Sequence, residues 1–441
     1  MGAALLAKSK GFDVFLSDFG KIAAKYVTIL RDNQIEFEEG GHTMDRIMGA
    51  DLAVKSPGIP NTVPVIRNLG QKGIPVISEI EFAARHTAAK IIAITGTNGK
   101  TTTTLLTYHL LKSAGLNVGI GGNIGNSFAA MVVEDVYDYY VLEISSFQLE
   151  DIDTFKPEIS MLLNVTPDHL DRYDGSIALY GDAKMRITMN QGGDDVFIAG
   201  VDSPLVKDRA ENLKGSVKVF PFSTEPSEGP GAWLQGDRLT VRMWDGKEMS
   251  VAANVLPLYG QHNQMNALAA ISAAIMMGVK EEQVVQALRT FKNAPHRMEL
   301  IAEIDGVKYI NDSKATNVDA VYYALEGIKE RIVWIAGGID KGNEYEQIAL
   351  LVEQKVSHLI GLGKDNSALT DFFSRKVEAI SECDSMQSAI KRAAEVAEAG
   401  MIVLLSPACA SFDLFNNYMD RGEQFREAVL AMQLATENEK R

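Results

Sequence analysis

Short apolar runs alternate with helix-length segments from one end of this chain to the other, and that alternation decides the architecture. Runs at 13–17, 90–95, 139–144, 160–165, 195–199, 307–310, 332–336, 358–362 and 401–405 each meet Gly, Ser, Asp or Pro within two residues. Such a break is what a strand needs before a loop. Near-continuous apolar strands separated by helical segments build parallel sheets with crossover helices. At 441 residues the chain exceeds one core, and ordinary domain sizes put about three domains in it. The expected boundaries fall near Ser78, before the run at 90–95, and near Ala294, in Lys292-Asn293-Ala294-Pro295. The segment 223–248, with Pro226, Gly229, Pro230 and Gly231, reads as a β excursion on the surface of the middle domain.

Charge and composition remove several function classes. With 58 acidic and 43 basic side chains the net charge is −15, which repels phosphate backbones and argues against general nucleic-acid binding. A membrane span needs about 18 apolar residues in a row. The longest apolar candidate, 267–279, is shorter, contains Ser272 and Gly278, and reads as a buried helix. The first residues lack the charged-then-apolar order of a signal peptide. Cys383 and Cys409 are the only cysteines, too few for a disulfide framework or a zinc cluster and compatible with a reducing compartment. The expectation is a cytoplasmic protein that engages neither membrane nor nucleic acid. With no heptad run in the sequence, it is also expected to be a monomer.

The strongest local signal is Ile91-Ile92-Ala93-Ile94-Thr95-Gly96-Thr97-Asn98-Gly99-Lys100-Thr101-Thr102. An apolar strand runs into a Gly-rich turn, then Lys-Thr, then a helix on which Leu106, Leu110 and Ala114 recur before Gly115 stops it. Backbone N–H groups in such a turn cradle phosphate oxygens. The lysine reaches the β- and γ-phosphates, and the following hydroxyl ligates Mg²⁺. The strict Walker spacing puts a glycine where Ile94 stands, so a bare pattern search passes over this loop.

Several further residues carry two readings each. Glu143 ends the run at 139–144, where a carboxylate points into a ligand crevice; it is either a metal partner of the phosphate loop or a solvated loop carboxylate. His169, in Thr166-Pro167-Asp168-His169, follows the next strand and is either structural or a ligand. Lys184 lies on a helical stretch, and its bland reading is a solvated surface lysine. Asn263 and Asn266 share a face near the start of a long helix. Paired amides suit an adenine edge, although Asn263 also suits a helix cap.

Taken together these pieces resemble the Mur ligases, the ATP-dependent amide-bond ligases of peptidoglycan precursor synthesis. The generic carriers are 95–101, Asn164 to His169, His262-Asn263 with Asn266, and Pro295-His296-Arg297. Three further stretches, 145–149, 311–317 and 405–413, are similar to the branch that joins D-glutamate to UDP-N-acetylmuramoyl-L-alanine. The resemblance implies an α/β fold of three domains. These are an incomplete Rossmann-like N-terminal domain (1–78), a central P-loop ATPase-like domain (79–294) and a C-terminal Rossmann-like domain (295–441). It also implies roles. Gly96, Thr97, Asn98, Gly99, Lys100, Thr101 and Thr102 hold the phosphates of ATP, and Asn263, Asn266, Arg297 and Asp312 the rest of the nucleotide. Thr101 serves one Mg²⁺. Glu143, His169 and Lys184, the last carbamylated by CO₂, serve a second. Asp18, Ser56, Gly58 and Asn123 meet the UDP-linked substrate, and Lys314, Thr316, Lys341, Ser411 and Tyr418 meet D-glutamate. Tyr418 departs from the phenylalanine of the best-known members but keeps the ring.

The family's first domain opens with a strand and a Gly-rich loop that this sequence lacks. The resemblance therefore implies about 15–25 missing residues, one βα start. Because the first strand of such a sheet is central, its loss is expected to leave apolar edges on both neighbours. A mis-called start is the expectation, since a valine codon at Met1 can be read as an initiator. An in-frame stop just upstream, with no such loop encoded, refutes it. The rival readings are a ligase for a different amino acid or for folate, and a non-catalytic ATP-binding protein.

Overall fold

The computed structural model describes residues 1–258 and 260–439. Contacts divide the chain into two compact units, Met1–Val255 with Met265–Phe291, and Leu256–Gln264 with Lys292–Arg441.

The first unit is built on a nine-stranded sheet. Its order is Glu248–Ala252, Arg238–Arg242, Gly231–Gln235, Lys218–Ser223, Val196–Gly200, Ile159–Leu162, Lys90–Thr95, Tyr139–Glu143, Val118–Gly122. The strands from Gly231–Gln235 onward pair in parallel, and the two before it pair antiparallel. Ile92, Ala93 and Ile94 are fully buried, as a parallel strand covered by helices on both faces must be. One face packs Phe128, Tyr140 and Leu149 and also takes Leu6 from the helix Gly2–Ser9. Farther along the sheet the same face packs Tyr180, Phe197 and Val206, while Ile92, Ile94 and Met161 point to the opposite face. The chain leaves Lys90–Thr95 toward one side of the sheet and later returns on the other, at Ile159–Leu162. A crevice therefore opens at the carboxyl end of Lys90–Thr95, where ligands of such sheets bind.

Near the N-terminus, Phe15–Asp18 pairs in parallel with Glu36–Glu39, and Ala53–Lys55 with Val76–Ser78. These stay two separate two-stranded sheets.

The second unit holds a six-stranded sheet, ordered Glu299–Ile304, Val307–Asn311, Ile402–Leu405, Ile332–Ala336, Val356–Leu362, Ala379–Cys383. All neighbours are parallel except the first pair. One face packs Val321, Leu325, Ile348 and Val352 from Val318–Gly327 and Glu346–Lys355. The other packs Ile390, Phe425 and Val429 from Met386–Val396 and Tyr418–Glu439. The loops 312–316, 406–411 and 337–343 thus leave the carboxyl ends of three adjacent strands.

Every expected run is a strand, with ends shifted by up to three residues. Several strands were not expected. Glu36-Phe37-Glu38-Glu39 is too polar to read as one, and Val118-Gly119-Ile120-Gly121-Gly122 too rich in glycine. The excursion after Ser223 is β, and it extends the main sheet at one edge through Gly231–Gln235. Among the described residues no helix is long and apolar enough to cross a membrane.

Candidate active site

The strand Lys90–Thr95 passes into a turn that depends on glycine. Gly99, at φ +86°, precedes the helix Lys100–Ser113. A Cβ there would lie 2.2 Å from Asn266 Oδ1, so both backbone conformation and space demand glycine. The neighbouring strand exit clamps the turn. Asn98 N–H donates to Asn164 Oδ1 at 2.8 Å, and Asn164 Nδ2 donates back to Asn98 O at 3.0 Å. Thr166 N–H donates to Thr97 Oγ1 at 3.0 Å. The loop is therefore braced by the strand exit beside it.

Two lysines converge on one carbonyl inside this turn. Lys100 Nζ donates to Gly96 O and Thr97 O, each at 2.8 Å. Lys184 Nζ donates to Gly96 O at 2.9 Å and sits 4.2 Å from the Tyr180 ring centre. The surface reading of Lys184 is wrong: the residue is 1% exposed, on the helix Ile177–Met185. Burial, then the nearby Lys100 cation, push its amine well below the usual lysine range, with Asp168 opposing.

Glu143 is 2% exposed, which removes the solvated-loop reading. Its carboxylate accepts from Thr101 Oγ1 and from Asn123 Nδ2, each at 2.8 Å. Thr101, Asn123 and Glu143 thus form one cluster of hard oxygen donors and an amide beside the loop, the donor chemistry that suits Mg²⁺. His169 does not join it. It sits at φ +52° with its side chain 55% exposed, 3.6 Å from the Asp168 carboxylate and with its ring 5.2 Å from that of Phe147. Among the described residues no three His, Cys, Asp or Glu side chains converge to hold a metal. The Thr101–Glu143 pair would suit one such ion.

Asn263 and Asn266 are both buried on the helix Gln261–Met276, and Asn266 backs the Gly99 turn. Thr102 is buried in the first turn of its helix. Asp18 ends its strand exposed, its Oδ1 accepting Gly20 N–H at 2.8 Å. Ser56 and Gly58 lie on an exposed loop that has a buried support. Lys55 Nζ donates to Ile59 O at 2.9 Å and Asn61 Oδ1 at 2.7 Å and pairs with Asp151 at 2.8 Å. Nothing in the sequence marked Lys55 beyond a charge at the end of an apolar strand.

In the second unit Asp312 is buried. Ser406 Oγ donates to it at 2.9 Å and Met298 N–H at 3.2 Å. Burial pushes its carboxyl up to about 7, against those bonds and the charge of Arg297. The Lys314 ammonium sits 3.9 Å from the Tyr418 ring centre, a cation–π contact. Ser411 is buried, while Thr316 and Lys341 are exposed. Backbone bonds tie the three loops together: Ala408 N–H to Ala315 O at 3.0 Å, and Ile339 N–H to Ala410 O at 2.8 Å. The unforeseen member is Arg421, 1% exposed, which donates to Ser313 Oγ at 3.0 Å, Ser313 O at 2.9 Å and Cys409 O at 3.1 Å. Asp312, Lys314, Lys341 and Ser411 therefore stand on loops stapled side by side at the strand ends.

Comparison with known proteins places this geometry in a family. The Mur ligase middle domain matches residues 94–274, the Mur ligase glutamate ligase domain 296–409 and the MurD N-terminal domain 3–64. The chain is 49% identical over 431 residues to the UDP-N-acetylmuramoylalanine–D-glutamate ligase of Porphyromonas gingivalis, covering 98% of this chain and 96% of the relative. It is 48% identical over 429 residues to the Bacteroides fragilis protein of the same name, covering 97% and 96%. Among solved structures, UDP-N-acetylmuramate–alanine ligase MurC from Thermotoga maritima superposes with a TM-score of 0.61 at 19% identity, covering 98% and 96%. MurF from Acinetobacter baumannii gives 0.63 at 18%, covering 95% and 92%. At such identities the two structures speak to the fold alone. The chain belongs to the Mur ligase family.

Proposed function

We propose that this chain joins D-glutamate to UDP-N-acetylmuramoyl-L-alanine at the expense of ATP, through an acyl phosphate, in peptidoglycan precursor synthesis. The observation that carries the reading is the phosphate loop with Lys100 and Lys184 on one carbonyl and Glu143 held by Thr101 beside it. The relatives' names supply the substrates.

A carboxylate is a poor electrophile and phosphorylation supplies its leaving group. The alanyl carboxylate attacks the γ-phosphorus; the D-glutamate amine then attacks the acyl phosphate and phosphate departs. The first step brings two anions together. Lys100 and the loop N–H groups, released from their resting contacts, offset that repulsion and stabilise charge on the transferring oxygens. Mg²⁺, when bound, would add charge neutralisation there; Thr101 and Glu143 would hold one ion, and His169 and Lys184 would complete a second site. A neutral Lys184 amine can add CO₂ and release a proton, leaving a carbamate. That gives a carboxylate where burial has disfavoured an ammonium. Gly96 to Thr102, with Asn263, Asn266, Arg297 and Asp312, bind the nucleotide. Asp18, Ser56, Gly58 and Asn123 bind the UDP-linked substrate. Lys314 and Lys341 pair with the D-glutamate carboxylates beside Thr316, Ser411 and Tyr418. The domain division at Ser78 and Ala294, a cytoplasmic location and a monomeric state belong to the same reading.

The test is phosphate release from ATP with UDP-N-acetylmuramoyl-L-alanine, adding D- or L-glutamate. Release with the D enantiomer alone is expected. Release with another amino acid instead, or ATP binding without any substrate-dependent release, overturns the reading.

A further inference from the structure

Beneath the loop that carries Lys341 lies a polar network to which the roles above give no part. Tyr345 is 4% exposed, and its ring packs 5.7 Å from that of Phe373 in the core of the second unit. Its hydroxyl points back at the loops. It donates to Asp340 Oδ2 at 2.6 Å and accepts from Asn343 Nδ2 at 3.2 Å. Asn343 Nδ2 also reaches Ala408 O at 3.2 Å and Cys409 Sγ at 3.4 Å. The other Asp340 oxygen accepts Gly342 N–H at 2.7 Å and Asn343 N–H at 2.9 Å. Both neighbours of Lys341 in the chain are therefore fixed, although Lys341 itself is exposed. Across the gap, Ala408 is held at φ +61°, a conformation a non-glycine residue keeps only when its surroundings impose it.

A lysine side chain has many rotamers to lose on binding. What the protein can settle beforehand is where its backbone stands. The 337–343 loop meets the 406–411 loop closely: a Cβ on Gly338 would lie 2.3 Å from Ala410 O. Among the described residues, Asn343 and the core-rooted Tyr345, whose hydroxyl lies 3.6 Å from Cys409 Sγ, tie the two loops through side chains.

We propose that Tyr345, acting with Asn343, is a positioning residue for the amino-acid substrate. Its hydroxyl registers the Lys341 loop against the Ser411 loop and so sets the spacing of the groups that grip D-glutamate. The proposal rests on the assignment of Lys341 and Ser411 made above.

The experiment compares wild type, Tyr345→Phe, Asn343→Ala, Lys341→Ala and the Tyr345→Phe/Lys341→Ala double variant in the phosphate-release assay, with a thermal melt of each. Tyr345→Phe keeps the ring and loses a hydrogen bond to a carboxylate, so KM for D-glutamate rises about tenfold, with kcat and KM for ATP within about twofold. Asn343→Ala moves the same parameter in the same direction. In the Lys341→Ala background the Tyr345 substitution adds less than about twofold, because coupled residues are not additive. An unchanged KM for D-glutamate in Tyr345→Phe overturns the proposal. So does a parallel change in every kinetic constant with a lowered melting point, or full additivity in the double variant. If Lys341→Ala leaves KM for D-glutamate unchanged, the assignment of Lys341 fails and this proposal with it, while D-glutamate-dependent release by the wild type keeps the ligase reading intact.

Discussion

Lys100 and Lys184 hang on the same carbonyl oxygen, yet only one of them could be understood from its neighbours in the chain. Lys100 sits where strand, turn and helix succeed one another, and those are local signals. Lys184 donates to Gly96, which lies 88 positions earlier, and no periodicity around a lysine reports a contact that distant. The same holds for Lys55 and Arg421, which bond to the distant Asp151 and Ser313. Lys100→Ala is expected to lower phosphate release at least about a hundredfold, since a preorganised charge on the transferring group is removed. Lys184→Ala is expected to lose most activity, and added short-chain carboxylates to restore part of it by occupying the carbamate's place. Phosphate release measured with and without acetate checks both. Full activity in either variant, or no rescue of the second, removes that assignment.

Between strand and helix, the phosphate turn shows how much of an element is written in sequence. Its glycines, its lysine and the helix that follows were all readable, but the reason Gly99 is required came from Asn266, on a helix far along the chain. Gly99→Ala forces a side chain into the left-handed region and into Asn266 Oδ1. The expected cost is about 1–3 kcal/mol of stability, with weakened nucleotide binding. A melting curve and a titration with ATP measure the two separately; a variant with both unchanged refutes the account of the turn. The strands that escaped notice lacked one ingredient each: apolar residues in Glu36–Glu39, side chains to pack in Val118–Gly122. Both form because a neighbouring strand supplies the pairing, which is tertiary information.

Stability belongs to the molecule as a whole, and one buried carboxyl should make it depend on pH. The Asp312 value rises from 3.8 in the unfolded chain to about 7 in the folded one. A raised value means that the folded state holds its proton more tightly. The contribution is therefore complete below 3.8 and is lost as pH rises through about 7. Asp312→Asn cannot ionise, so its stability should fall less than that of wild type between pH 5 and pH 8. Denaturant unfolding at the two pH values checks this, and parallel curves refute it. Alternation along the chain was enough to announce parallel α/β sheets. It could not announce that two strand pairs near the N-terminus stand apart from the main sheet, because pairing partners are not encoded in a strand's own pattern.

The network around Tyr345 has a practical corollary. It encloses Cys409, whose thiol is buried and pushed up by that burial, so the reactive thiolate is scarce near neutral pH. Cys383, the other thiol, is half-buried on the strand Ala379–Cys383 at the edge of its sheet. A maleimide dye at pH 7 should therefore load at a ratio close to one per folded chain, at Cys383, and give a uniformly tagged protein for fluorescence work without any cysteine being replaced.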